Sequence, residues 1–176
     1  VILFELGYLV VVNAALQVPL TQTLVNMVRP EKFFVSWENA WSWYPFRVHA
    51  RGIFVNGQTR SQQWQLEAVA ASGSISPLHL VLKSVRVHDI SALDVDYRQR
   101  PRLKPDRDYT AVLPYFPEIR GREVVPVSTT PRKKKRPWKI SLRDMRASGQ
   151  HTYWIYTVKG SGRGVASGEL DYFAPG

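Results

Sequence analysis

The chain contains no cysteine, so zinc-thiolate centres, disulfides and thiol catalysis are excluded, while the redox compartment stays open. Histidine is scarce. His49, His79, His88 and His151 stand apart, with no HxH or HExxH spacing and no adjacent carboxylate pair, which argues against a metal centre. No GxSxG occurs, so a serine-hydrolase nucleophile elbow is missing as well. Negative charge is also in short supply. Asp and Glu number 14 against 24 Lys and Arg, giving a formal net charge of +10 and a pI near 10.1. Such a balance suits an anionic partner, and it equally suits an ordinary solvated basic surface.

Two motifs resemble chemistry and do not supply it. GSGRG at 160–164 lacks the following Lys-Ser/Thr and the helix of a phosphate loop, and reads as a hairpin turn. Asp94 and Asp96 alternate with apolar residues and share a strand face, but two carboxylates are too few for a calcium site. The expectation is a non-enzymatic protein with no cofactor and no metal.

What the chain does have is a long apolar start. Residues 1–18, VILFELGYLVVVNAALQV, are polar only at Glu5, Asn13 and Gln17. As a helix they span about 27 Å, near the thickness of a hydrocarbon core. Pro19 allows a bend, and Leu20, Leu24, Val25 and Val28 then recur at amphipathic spacing. Residues 1–28 are therefore predicted as a transmembrane helix followed by a short amphipathic, interfacial one. A signal peptide or a buried helix fits less well, because no small-residue cleavage site stands out. Glu5 and Asn13 are costly in lipid and are expected at the interface or against a partner. Trp41, Trp43 and Tyr44 form an aromatic cluster suited to the same level. The chain opens on VILFELGY without an initiator Met and stops just past a strand pattern at GELDYFAPG, which reads as part of a longer protein; orientation is not legible from charge.

From Phe33 the helical period gives way to period two. In FRVHARGIFVNGQTRSQQWQLEAVAASGSI, Phe46, Val48, Ala50 and Phe54 are expected on one face and Arg47, His49 and Arg51 on the other. Asn56-Gly57 signals a hairpin. The return strand sets Trp64, Leu66, Ala68 and Ala70 against Gln63, Gln65 and Glu67, the pattern of a sheet with one dry and one wet face. LHLVLKSVRVHDISALDVDYR bends near Asp89 to Ser91. Gly52, Gly73, Gly149 and Gly168 mark bends or bulges. Residues 29–100 thus form a first β-hairpin region and 138–176 a second. Between them, 101–137 is a proline-rich basic linker carrying Arg132, Lys133, Lys134, Lys135 and Arg136, a run fitted to an anionic surface. The fold class is mainly β: two N-terminal helices, then an antiparallel, meandering, curved sheet.

A single span, an amphipathic segment, then SWENAWSWYPFRVHARGIFVNGQ with WQLEAVAAS on the return strand, resembles the amino-terminal region of AsmA-like proteins of Gram-negative bacteria. WKISLRDMRASG, YWI and GSGRGVASGELDYF resemble that family's following strands. The resemblance implies a single-pass inner-membrane anchor with the bulk of the chain in the periplasm, where an apolar groove carries phospholipid; this length supplies fewer strands than a bridge between membranes needs. Phe46, Val48, Phe54, Trp64, Leu66, Leu80, Leu82, Leu93, Val95 and Tyr97 are the candidate lining, and they equally suit an ordinary sheet core. Membrane lipid is the expected partner and nucleic acid is not. The alternative is an accessory structural subunit of a larger inner-membrane complex, respiratory or photosynthetic, docked through its helix and its sheet.

Overall fold

The computed structural model describes residues 2–27, 32–76, 84–105, 107–122 and 138–174. Two helices, α1 (Ile2–Gln17) and α2 (Pro19–Met27), lead into strands β1 (Phe33–Ser36), β2 (Asn39–Tyr44), β3 (Arg47–Gln58), β4 (Gln62–Ile75), β5 (Ser84–Pro101), β6 (Trp138–Ile155) and β7 (Val158–Ala174). All seven strands join one sheet in the order β1-β3-β4-β5-β6-β7, with β2 beside β1 on the same side of β3. The mainly β expectation is met, and the antiparallel meander holds for β3-β4-β5 and for β6-β7. β5 and β6 instead run parallel, so the sheet is mixed. Residues 102–137 join β5 to β6, a length sufficient for the crossover that a parallel pair requires.

The first hairpin turns later than Asn56-Gly57. β3 continues to Gln58, and the reversal lies at 59–61, where the Thr59 hydroxyl accepts the Gln62 N–H at 3.1 Å. Asn56 and Gly57 are strand residues opposite Gln65 and Trp64. GSGRG likewise lies inside β7, opposite 149–153, and Tyr156 and Thr157 make the turn.

Two lines of irregular backbone cross the sheet. On the first, Gly52 (φ 60°) is level with Val69, Asp94 (φ 52°) and Gly149 (φ 101°). On the second, Gly73 faces the extra residues Asp89–Ile90 in β5, and Asp89 is level with Asp144 in β6; both aspartates have φ 52°. Gly168 pairs with Met145 where the β6–β7 register shifts. The four glycines expected to mark bends all lie on these lines. Left-handed backbone is cheap for Gly and tolerated by Asp, and each bulge adds local twist and bends its strand. The predicted bend in 78–98 is such a bulge within one continuous strand; His79, Leu80 and Leu82 lie outside the described residues.

β4 has no irregular residue, so its alternation defines two faces. Gln63, Gln65 and Glu67 point to one, Trp64, Leu66 and Ala68 to the other. The wet face of the sequence pattern turns out to be the interior: Gln63 and Gln65 are 0% exposed. Segment 102–122 makes a 3-10 turn at Leu113–Tyr115, and its last residues, 117–122, lie over them. Arg100 donates to Gln63 Oε1 (3.0 Å) and to the carbonyls of Pro117 and Arg122 (3.3 and 2.8 Å). Arg122 Nε donates to Asn56 Oδ1, Asn56 Nδ2 to the Arg120 carbonyl, and the Arg120 N–H to Gln65 Oε1. Burial holds both Arg100 and Arg122 below their ordinary pKa. A buried polar network of this kind is stable only when its members find partners. The first part of the expected linker is thus docked on the sheet; the basic run Arg132 to Arg136 lies outside the described residues.

The helices close the sheet's first edge. Asn13 of α1 donates to the Ser42 carbonyl (2.9 Å) and accepts the Ser42 N–H (2.8 Å). Asn26 of α2 makes the same double contact with Val35, 2.8 Å each way. Gln17 and Gln22 donate to the carbonyls of Ala40 and Trp37, and Trp37 Nε1 donates back to Leu16 O. Each helix offers two amides four residues apart, one helical turn, so both point at the strand. They satisfy backbone groups that an open edge exposes.

Candidate functional site

The face opposite segment 102–122, the open face, carries the apolar surface. Its central row crosses five strands as Val35, Val55, Leu66, Tyr97 and Tyr153. Beside it lie Ile53, Ala68 and Val95, and on the other side Phe33, Gly57, Trp64, Gln99 and Ile155. Two aromatic rings lie over glycines of the neighbouring strand: Trp64 occupies the place of a Gly57 side chain, and Tyr153 that of Gly160. Both pairs are direct cross-strand partners, and any larger residue at either glycine would lift the ring. Phe33 packs against Trp64 at 6.4 Å between centroids. Burial among these side chains, and the charge of Tyr156, push the Tyr97 hydroxyl above its ordinary pKa.

No described element covers this surface. Trp64, Leu66, Val95 and Tyr97 are half-buried among their neighbours on the sheet, and Tyr153 and Ile155 are exposed. Among the described residues the buried apolar side chains are few: Ala40, Ala68, Leu103, Pro117 and Ile119. A contiguous uncovered apolar patch on a sheet marks a binding surface.

The lining expected from sequence is divided by the register. Trp64, Leu66, Leu93, Val95 and Tyr97 share the open face. Phe54 is opposite Glu67, on the covered face, where Arg120 lies 4.4 Å over its ring. Val48 is opposite Gly73 on that same side, and Phe46 (φ 65°) sits in the β2–β3 turn with its ring 5.3 Å from Tyr8. Leu80 and Leu82 fall outside the described residues. Sequence reading missed Val55, Ile53 and Tyr153; the available signal was a glycine directly opposite an aromatic, visible only once register is known.

The second apolar surface is the outer side of the helix pair. Leu6, Val10, Val11, Val18, Leu20, Leu24 and Met27 are exposed, and Glu5 is exposed near the start of α1. Neither helix alone is long and apolar enough to cross a membrane; the pair, bent by 73°, passes that test together by length and composition. Asn13 is engaged within the chain, by Ser42. Trp43 (77% exposed) and Tyr44 (72%) project beside the turn that Tyr8 ties down through the Phe46 N–H, while Trp41 stacks on His49 at 5.8 Å.

No known protein family, curated protein or solved structure matches this chain.

Proposed function

We propose that this chain is a membrane-anchored, non-enzymatic β protein of AsmA-like type, whose open face shields the acyl chains of phospholipid in the periplasm of a Gram-negative bacterium. The observation that carries the reading is the uncovered row Val55, Leu66, Tyr97 and Tyr153, on a sheet whose other face is covered over Gln63 and Gln65 by residues 117–122. Burying such a surface against hydrocarbon gains about 25 cal/mol per Å² and requires no reactive group. The helix pair supports an inner-membrane anchor, because its amides turn inward to the sheet edge and leave its outer side apolar. A second reading, an accessory subunit of a larger inner-membrane complex, is favoured by Trp43 and Tyr44, large rings with nothing over them.

Gentle-detergent purification followed by mass spectrometry separates the two. Phospholipid retained at stoichiometric amount, and lost in a folded Leu66→Asp variant, supports the lipid surface. Stoichiometric foreign subunits with no lipid on the sheet would replace it with the docking role.

A further inference from the structure

The open face changes character along its strands. Beyond Ala68 and Ala70 the apolar residues end, and one cross-strand row reads Trp41, His49, Ser72, Ser91, Arg146 and Ser167 from β2 to β7. We propose that this row is a phosphate-binding site that holds the headgroup of a phospholipid whose acyl chains lie on the adjoining apolar rows; the lipid assignment rests on the function proposed above, the phosphate site does not.

The geometry begins with the serine pair. Ser72 and Ser91 face each other on adjacent strands with their hydroxyl oxygens 2.8 Å apart. One hydroxyl hydrogen is spent between them, and the other is free to donate outward. His49 is the register partner of Ser72 on one side, and Arg146 that of Ser91 on the other. With strands about 4.8 Å apart, both lie one strand from the pair. A phosphate over the serines therefore meets a hydroxyl donor, an imidazole N–H and a guanidinium fork, the donor types that recognise phosphate oxygens.

The charges of the site are uncommitted. Among the described residues no carboxylate pairs with Arg47, Arg51 or Arg146. Arg47 and Arg51 flank His49 on its own face, and Arg51 lies 5.5 Å over the Trp41 ring that His49 stacks on. His88, by contrast, is tied to Asp89 at 2.7 Å and is not counted in the site. Ser91, Arg146 and Arg51 are exposed. The row also begins on β2, the strand that Asn13 clamps to α1, so its cationic end adjoins the helix pair.

The test uses the full chain in zwitterionic detergent, following backbone amides by NMR. The probes are inorganic phosphate, dihexanoyl phosphatidylglycerol below its micelle threshold, and dihexanoylglycerol, which lacks phosphate. Both phosphate probes are expected to shift Ser72, Ser91 and Arg146, phosphatidylglycerol binding at least about tenfold tighter; the His49→Gln/Arg146→Gln pair should weaken both by about tenfold or more. Should that pair misfold, Ser91→Ala with Arg146→Gln gives the same readout. If phosphate binds the row and phosphatidylglycerol binds no tighter, the site stands and the lipid reading falls. If phosphatidylglycerol binds the folded double variant as well as the parent, and dihexanoylglycerol matches it, the lipid reading stands and the phosphate site is overturned. Absence of any shift in the row with either phosphate probe also overturns it.

Discussion

Asp94 and Gly149 meet across the parallel pair β5–β6. The Asp94 carboxylate accepts the Gln150 N–H at 2.7 Å and fills the space where a side chain on residue 149 would begin. Both residues have positive φ, so the first crease of the sheet is held by a carboxylate capping a glycine bulge. Gly149→Ala must therefore strain the backbone and expel Asp94 at once. We expect a loss of about 2–3 kcal/mol in urea unfolding. In an Asp94→Gly background the same substitution should cost measurably less, because only the backbone strain remains; equal costs in a double-mutant cycle would mean the two do not interact.

The amides of the helices make a separate prediction. Asn13→Ala leaves the Ser42 N–H and carbonyl without their partner, and Asn26→Ala does so at Val35. Each should cost about 1–3 kcal/mol locally. Hydrogen exchange is the measurement: faster exchange at Ser42 in the first variant and at Val35 in the second, with β6 and β7 unchanged. Unaltered exchange at those amides would show that the helices do not guard the edge.

Arg100 organises the covered face. Replacing it with Ala removes the donors that Gln63, Pro117 and Arg122 accept from, a loss of about 3 kcal/mol or more for buried groups left unpaired. Limited proteolysis should then cut within 102–122 first, while the β6–β7 hairpin stays protected. Cleavage no faster than in the parent would mean the segment is held by other contacts.

Acid should loosen the far end of β6 and β7. Asp171 accepts the Ser141 hydroxyl at 2.7 Å and Arg143 at 2.6 Å, and these bonds, Ser141 first, lower its pKa below the ordinary aspartate value. A carboxyl with a depressed folded pKa contributes stability above its unfolded pKa and loses it as pH falls through the folded one. Amide protection at Ser141 to Arg143 should accordingly fall only below the ordinary aspartate range. Asp171→Asn should abolish that step; its survival in the variant would assign it to another group.

Much of the fold could be read from residue order, and the failures have physical causes. The strands were visible because alternation survives wherever one side of a ribbon is apolar. The glycine bends were visible because few residue types tolerate their backbone. Asn56-Gly57 misled because its glycine serves packing, leaving room for the Trp64 ring, and its asparagine binds segment 102–122. Gln63 and Gln65 misled because polarity was read as exposure, whereas here amides pair with a loop backbone in the interior. The apolar lining was assigned to one face, but facing depends on register, and register is set by a turn three residues later than the sequence signal.

Between the two creases, one further row runs through Ala40, Ala50, Ala71, Ala92, Ala147 and Ala166, a single methyl at each crossing from β2 to β7. In mechanical terms this is the thinnest line of the plate, flanked on both sides by the bulges that bend it. The row from His49 to Arg146 lies one residue along each strand and on the opposite face, so it is backed by single methyl groups rather than by a packed layer of large side chains.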